Sequence, residues 1–371
     1  MHVMVARVKF WQTQLVLICF SGVISGCSLP YYWQAVGGQL ELIRKRSPIN
    51  EILGSADTNE PTKVALQQIV EARKFAIDVL DLPDNGSYRT YVDLERSAVV
   101  WNVVAAKEFA VDPKTWCFPF AGCVSYRGYF DESVAHRFSA YLKVNGFDTA
   151  VVGAAAYSTL GFFEDPVLNT MIDGGGQNGA SIILHELAHQ RFYLKDDSEL
   201  NEAFATAVEE YGTGLWLTRI GEQNAATAYR ERMKQRTHFS DLVNNQQERL
   251  RVIFSRPISN EEKRTAKEAA FELMRMEYEV LKESWGGIAD YDGWFDRPLN
   301  NAHLATVATY RRWLPGLRWL LETQGLNRFY SEMELLGELS LSERRDRMQL
   351  WNQGANSLHE VVEIIDATSE R

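Results

Sequence analysis

The feature that most limits how this chain can fold is a short apolar segment that carries two histidines and a glutamate. Residues 181–189 read SIILHELAH, with His185, Glu186 and His189 as the groups capable of chemistry. Side chains four positions apart share one face of an α-helix, so both imidazoles point the same way with the carboxylate beside them. We predict a buried helix that directs both imidazoles toward one metal ion. The alternative is a pair of core or surface histidines with a neighbouring carboxylate.

The segment after this helix supplies a candidate third ligand. Residues 196–199 read DDSE, which predicts a turn and a capping box with Asp196 as the N-cap, and hence two antiparallel helices. His189 lies seven residues before Asp196 and Glu202 six residues after it. At about 1.5 Å per residue, both lie roughly 10 Å from the turn. Glu202 is therefore the predicted third ligand, and Glu199, about one turn too close to the bend, is the runner-up.

Two imidazoles and one carboxylate form a ligand set typical of catalytic zinc. This set leaves tetrahedral Zn²⁺ with one open position for water, whose pKa falls toward about 7 at the metal. Glu186 is then predicted to act as the general base and to pass the proton to a leaving amine, which is amide hydrolysis. Glu209, seven positions after Glu202 on the same helix face, is predicted to orient a metal ligand.

The oxyanion of such a reaction needs a further hydrogen-bond donor. Tyr291, His303 and Tyr310 in the C-terminal half are candidates, and their spacing does not choose among them. We name Tyr310 as the predicted catalytic donor. A purely structural role is the alternative for each of the three.

Residues 181–211 resemble the gluzincin metallopeptidases, the class that joins thermolysin and the alanyl-aminopeptidase type. In that class HExxH precedes a second helix with Asn-Glu and then Ala, to which Asn201-Glu202-Ala203 is similar. The wider layout resembles a family of bacterial lipoproteins predicted to be aminopeptidases. The resemblance implies a zincin-like fold, a zinc cofactor and a peptide substrate. Two departures are a short spacing from His189 to Glu202 and the absence of Gly-x-Met-Glu-Asn, which the alanyl type uses to hold the substrate amine.

The first residues are similar to a bacterial lipoprotein signal. A basic stretch precedes an apolar run, and residues 24–27 read ISGC, which resembles a lipobox with Cys27 as the lipidated residue. Ser28 in the next position resembles outer-membrane sorting, so we expect loss of residues 1–26 and a lipid-anchored protein of the bacterial envelope that faces the periplasm. The alternative is an uncleaved transmembrane anchor, although the apolar run is shorter than the about 20 residues that span a bilayer.

The charge of the chain excludes one class of partner. The formal net charge is −10, and loss of residues 1–26 removes Arg7 and Lys9 but no acidic residue, which gives −12. An acidic protein is unsuited to nucleic acid and is not drawn electrostatically to anionic lipid. Membrane attachment is therefore expected through acyl chains on Cys27. No sequence feature sets the oligomeric state.

Two cysteines remain after the predicted signal and its lipidated Cys27. Cys117 and Cys123 enclose five residues that include Pro and Gly, and an oxidising periplasm favours a disulfide that closes this loop. Two free thiols are the alternative.

The pattern of elements predicts an α+β fold. Residues 27–178 form a mixed helix and sheet subdomain, residues 179–371 form a mainly helical subdomain, and the HExxH helix lies at their junction. Predicted strands cover 88–94, 98–109, 123–130 and 149–158, and predicted helices cover 31–46, 61–80, 131–144, 179–195, 197–213, 217–245, 259–285, 301–314 and 316–325. The strand 149–158 could pair with an extended peptide, and Glu164 or Asp165 after it could bind an α-ammonium group. Surface carboxylates are the alternative for that pair.

The leading hypothesis from these residues is a zinc-dependent peptidase, and more narrowly an aminopeptidase. A competing hypothesis is a catalytically silent envelope lipoprotein that keeps a peptidase scaffold to bind polypeptides. A third is a metal hydrolase for cell-wall peptides, for which the sequence has no separate feature.

Overall fold

A computed structural model describes residues 29–118, 122–308 and 312–369. Helices dominate and the strands are short, which confirms the α+β class. The helices are α1 (Leu29–Lys45), α2 (Ile49–Gly54), α3 (Glu60–Asp78), α4 (Glu132–Val144), α5 (Asn169–Ile172), α6 (Gly176–Arg191), α7 (Ser198–Arg219), α8 (Gln223–Ser255), α9 (Asn260–Ser284), α10 (Asp292–Phe295), α11 (Asn301–Ala308), α12 (Leu314–Glu338) and α13 (Leu341–Ser369). Cys27, residues 1–26 and Tyr310 lie outside the described residues, so the predictions made for them stay predictions.

The strands form three small sheets in the N-terminal half. They are β1 (Ser47–Pro48), β2 (Thr90–Val92), β3 (Val100–Lys107), β4 (Trp116–Phe118), β5 (Gly122–Val124), β6 (Arg127–Tyr129), β7 (Phe147–Ala154) and β8 (Val167–Leu168). The first sheet has the order β1-β2-β8, with β2 and β8 parallel. The second has the order β6-β3-β7 and is antiparallel, and β4 and β5 form a separate hairpin. Among the described strands, β7 is thus an edge of its sheet.

The prediction of one strand over residues 123–130 is wrong. This segment contains β5, which pairs with β4, and β6, which pairs with the central strand β3. The chain changes sheets at Ser125 and Tyr126, since the hairpin on one side and β3 on the other offer different partners. Tyr126 consequently lies between two sheets rather than within one.

One cluster of buried apolar side chains includes residues from both sides of position 178. It joins α3, α6, α7 and α12 with strands of the first sheet. Two glycines permit the close packing: a Cβ on Gly179 would lie 2.8 Å from Ile69 Cδ1, and one on Gly212 would lie 2.6 Å from Leu80 Cδ1. Larger residues at these two positions would force the helices apart.

The helical half also holds the second sheet in place. Helix α11 packs on β3 and β7, and the Asn301 side-chain amide donates to the carbonyls of Lys107, Glu108 and Ala110 at 2.9–3.1 Å. The long helices α8 and α9 pack together around a second apolar cluster. Within the described residues, no helix has an apolar run long enough to cross a bilayer.

Candidate metal site

The donor atoms of three side chains converge between α6 and α7. The Nε2 atoms of His185 and His189 are 3.1 Å apart, and Glu202 Oε2 lies 3.3 Å from the first and 3.6 Å from the second. Donors at 2.0–2.1 Å from a tetrahedral zinc ion are separated by about 3.3 Å, so these three atoms match the spacing of three ligands around one ion. A single metal ion therefore fits the group without movement of the backbone.

Helix spacing and the turn at Asp196 and Asp197 bring these donors together. His185 and His189 lie one turn apart on α6, and Glu202 is on the first turns of α7. The Asn201 side chain ties the two helices, since it accepts from the Leu194 amide and donates to the Leu194 carbonyl, both at 2.7 Å. Asn201, the residue before Glu202, thus stabilises the turn between the helices. This turn determines where Glu202 lies along α7 relative to His189 on α6.

The cap of α7 differs from the sequence prediction by one residue. Asp197, not Asp196, is the N-cap, and its side chain accepts from the Leu200 amide. Asp196 has a positive φ of 66°, and its carboxylate instead accepts the Cys123 amide at 2.8 Å. The structure joins Cys123 to Cys117 by a disulfide, so a cross-linked hairpin supports the turn between the two metal helices.

The charges around the donors suit a cation. Burial alone would lower the pKa of His185, but hydrogen bonds to Glu202 and Glu209 raise this pKa well above its usual value. Burial opposes ionisation of Glu202, yet the positive charge of His189 and the hydrogen bond with His185 hold its pKa well below normal. The buried Glu202 carboxylate thus pairs with positive charge, and a divalent metal ion could take that role once His185 gives up its Nε2 proton, since zinc binds neutral imidazole.

Glu209 orients His185 from the side away from the donor cluster. Its Oε2 lies 3.0 Å from His185 Nδ1, and its Oε1 accepts from the Ser181 hydroxyl at 2.8 Å. Arg236 lies 3.6 Å from the same carboxylate. Burial would raise the pKa of Glu209, but the His185 bond and the Arg236 charge lower it to about 2. An ionised Glu209 accepts the Nδ1 proton, so a neutral His185 would present an unprotonated Nε2 to a metal ion.

We expect Glu209→Gln to weaken zinc affinity by about 10- to 100-fold, because an amide is a poorer acceptor for the Nδ1 proton. Competition with a fluorescent zinc chelator measures the change. Glu210→Gln is the matched control, because Glu210 pairs with Arg318 at 2.6 Å rather than with a histidine. Equal zinc affinity in the two variants would show that Glu209 does not act on the metal ligand.

Glu186 lies next to His185 and faces the N-terminal half. Burial raises the pKa of Glu186 above its ordinary value, with the neighbouring imidazoles opposing and the Glu202 charge adding to the rise. Gln190 is four residues after Glu186 on the same face of α6, and its side-chain oxygen accepts a hydrogen bond from the Asn85 amide at 2.6 Å. The loop before β2 therefore contacts the face of α6 that carries Glu186.

Three tyrosines that sequence spacing did not select lie within electrostatic range of Glu186 or Glu202. Tyr126 lies where the chain passes from one sheet to the next. Burial raises the pKa of Tyr126 well above normal, and the negative charges of Glu202 and Glu186 raise it further. Tyr193 is likewise close to Glu202, and Tyr88 to Glu186. All three phenols are thus kept protonated and can donate hydrogen bonds. Tyr88 is buried with a positive φ of 62°, a strained conformation for a bulky residue that is often found at functional sites.

The other sequence candidates occupy different positions. Glu199 lies 3.8 Å from Arg312 and is outside the donor group. The Tyr291 ring stacks on Phe239 with 4.0 Å between centroids, in the second apolar cluster. His303 bonds Asn300 at 3.0 Å, and burial lowers its pKa to about 4. These contacts favour structural roles for the three residues.

Asp165 is buried rather than a surface carboxylate. Its oxygens accept from the Thr159 amide at 2.9 Å, from the Thr159 hydroxyl at 2.7 Å and from the Ser158 hydroxyl at 3.3 Å. Burial raises the pKa of Asp165 despite these bonds. Glu164, by contrast, is exposed and lies over Gly86. Asp165 thus builds the loop after β7, within electrostatic range of Glu186.

A cleft of about 850 Å³ opens beside the turn between α6 and α7. Ser125, Asp196, Glu199, Ala305 and Arg312 are among the residues that line it. The lining includes the turn residues Asp196 to Glu199, whereas His185, His189 and Glu202 are not part of it.

Comparison with protein families identifies a matching family model. A family model described as "Putative aminopeptidase" matches residues 30–348, which is most of the chain and contains all three metal donors. No curated protein and no solved structure matches the chain. The chain belongs to this aminopeptidase family.

Proposed function

We propose that this protein is a zinc-dependent peptidase that removes residues from the N-terminus of peptides. The observation that carries the proposal is the convergence of His185, His189 and Glu202 within 3.6 Å of one another. The family description supports a peptidase. An anchor at Cys27 and a periplasm-facing position at the outer membrane complete the proposal.

In this mechanism His185, His189 and Glu202 would hold the zinc ion, which when bound activates water and polarises the scissile carbonyl. Glu186 accepts a proton from that water and donates it to the leaving nitrogen. The raised pKa of Glu186, caused by burial, suits a group that must both accept and release a proton. The imidazole of His185 keeps its orientation through Glu209.

We infer that Tyr126 donates the hydrogen bond that stabilises the oxyanion. Burial raises the pKa of Tyr126 above its ordinary value and keeps the hydroxyl protonated, and the charges of Glu202 and Glu186, which lie within electrostatic range, add to this rise. It also packs with Val104, Ala302 and Ala305, so its ring has a fixed position. A fixed donor costs no reorganisation during the reaction.

Tyr126→Phe is expected to lower kcat by about 10²-fold with little change in KM, because the lost donor acts mainly in the transition state. Steady-state kinetics on a peptide substrate test this. Tyr141→Phe, at an exposed position on α4, is the control. If Tyr126→Phe keeps wild-type kcat and Tyr193→Phe loses it, the donor is Tyr193 instead.

Mass spectrometry of peptide digests separates the proposed exopeptidase from an endopeptidase. An aminopeptidase shortens a free-amine peptide one residue at a time from its N-terminus and leaves the N-acetylated form intact. Internal fragments from both forms would contradict the exopeptidase assignment. No turnover of a diverse peptide mixture by zinc-loaded protein would contradict the peptidase assignment itself.

A further inference from the structure

The outward face of helix α1 is apolar and exposed. Trp33 is 78% exposed, Val36 54%, Leu40 42% and Ile43 39%. These positions are three or four residues apart, so they form one stripe along the helix, which we call the α1 stripe. No acidic residue lies in the stripe, although the chain as a whole carries a net charge of −10. This local composition contrasts with the acidic character of the protein.

The inner face of α1 is already occupied, so the helix cannot turn the stripe inward. Gln34 donates to the Gly128 carbonyl at 3.4 Å and accepts the Phe130 amide at 2.9 Å. Gly38 lies against the Phe130 ring, where a Cβ would come within 2.4 Å of ring carbons. Leu42 is buried in the main core. The stripe therefore stays on the surface of the folded protein.

A second pair of exposed apolar side chains lies near the end of α1. Arg46 donates to the Phe163 carbonyl at 2.7 Å, which places the loop after β7 next to the end of the helix. In that loop Phe162 is 76% exposed and Phe163 52%. Large contiguous apolar patches are uncommon on soluble monomers and mark interaction surfaces.

The position of α1 in the chain points to a lipid surface as the occupant. Leu29 begins the helix two residues after Cys27, so at no more than about 3.6 Å per residue its start lies within roughly 7 Å of an acyl chain on that cysteine. Tyr32 and Trp33 are near this end, and such aromatic residues favour the membrane interface. Arg44 and Lys45 follow at the other end.

We propose that the α1 stripe, with Phe162 and Phe163, lies in the interface of the bilayer that carries the lipid anchor. The proposal rests on lipidation of Cys27 in the proposed function. In this arrangement α1 lies flat on the membrane. Strand β6 and the adjoining Tyr126 then lie about 10 Å, one helix diameter, from the lipid surface. The metal site would then act on peptides close to the membrane surface.

Spin labelling of the full lipoprotein in vesicles of phosphatidylethanolamine and phosphatidylglycerol tests this. A label at Val36→Cys should be accessible to oxygen and several-fold less accessible to a water-soluble nickel chelate than a label at Val280→Cys. Val280 is the matched control, a 69% exposed valine within α9. Leu40→Glu in the Val36→Cys background should return the label to aqueous behaviour while the acyl chain keeps the protein on the vesicles.

Equal nickel accessibility at the two labels would overturn the proposal. Spin–spin broadening at Val36→Cys that disappears on dilution with unlabelled protein would also overturn it, since a second copy would then cover the stripe. Mass spectrometry of the N-terminal peptide reports acylation of Cys27 separately. If the labelled protein is acylated and α1 nevertheless stays in water, the proposal that the α1 stripe contacts the membrane is wrong. The proposed lipid anchor and peptidase activity are not affected by that result.

Discussion

Replacement of Glu186 by Gln is expected to lower kcat for peptide hydrolysis by about 10³-fold, while the protein retains about one zinc per chain. The amide has nearly the same size as the carboxylate, but it cannot accept a proton from water at neutral pH. Glu186 is not one of the three converging donors, so its loss should leave metal binding unchanged. Steady-state kinetics and metal analysis on the same preparation measure both effects.

Glu322→Gln is the control for this experiment, because Glu322 is an exposed carboxylate on α12 to which no role in the site is assigned. Its activity and zinc content should equal those of the wild type. Hydrolysis by Glu186→Gln at the wild-type rate would contradict the proposed mechanism. Loss of zinc together with activity would instead show that Glu186 supports the metal site.

Replacement of Glu202 by Gln is expected to remove zinc and activity together. The ionised Glu202 carboxylate lies within 3.6 Å of both imidazole nitrogens, and a neutral amide is a much weaker ligand for zinc. After dialysis against a weak chelator, the zinc content should fall from about one per chain to well below one half. Circular dichroism on the same sample shows whether the helices persist.

Glu199→Gln tests the alternative third ligand. Glu199 is one turn earlier on the same helix and lies near Arg312, so its neutralisation should leave the zinc content unchanged. If Glu199→Gln loses zinc and Glu202→Gln retains it, the ligand assignment is wrong. Loss of zinc in both variants would indicate a general weakening of the start of α7 rather than the loss of one ligand.

Local rules were enough to predict that His185, His189 and Glu202 come together as candidate metal donors. His185 and His189 share a face because the helix repeats every 3.6 residues, and residue counts from the turn put Glu202 level with His189. The cap was wrong by one position, since Asp196 and Asp197 are equally good caps by residue type. The Cys123 amide, 73 residues away in sequence, binds Asp196 and leaves the cap to Asp197.

Non-local contacts decided the features that residue spacing missed. Residues 123–130 have the composition of a single strand, but β4 and β3 each pair with a different part of them. Register and partner choice depend on strands far apart in sequence, so composition cannot supply them. The same change of sheets puts Tyr126 near Glu202 and Glu186, while Tyr291 and His303 pack elsewhere.

The sequence by itself determined the chemistry of the donors, the helix that carries the histidines and the carboxylate that joins them, because donor type and helical spacing are local properties. It also indicated Glu209 as a group that orients a metal ligand and a disulfide between Cys117 and Cys123. Only the tertiary structure decided that His185 is the ligand that Glu209 contacts, that tyrosines lie near Glu186 and Glu202, and that the disulfide hairpin supports the turn. These neighbours come from segments tens of residues away. Long-range burial and strand pairing bring them together, and no local pattern encodes those contacts.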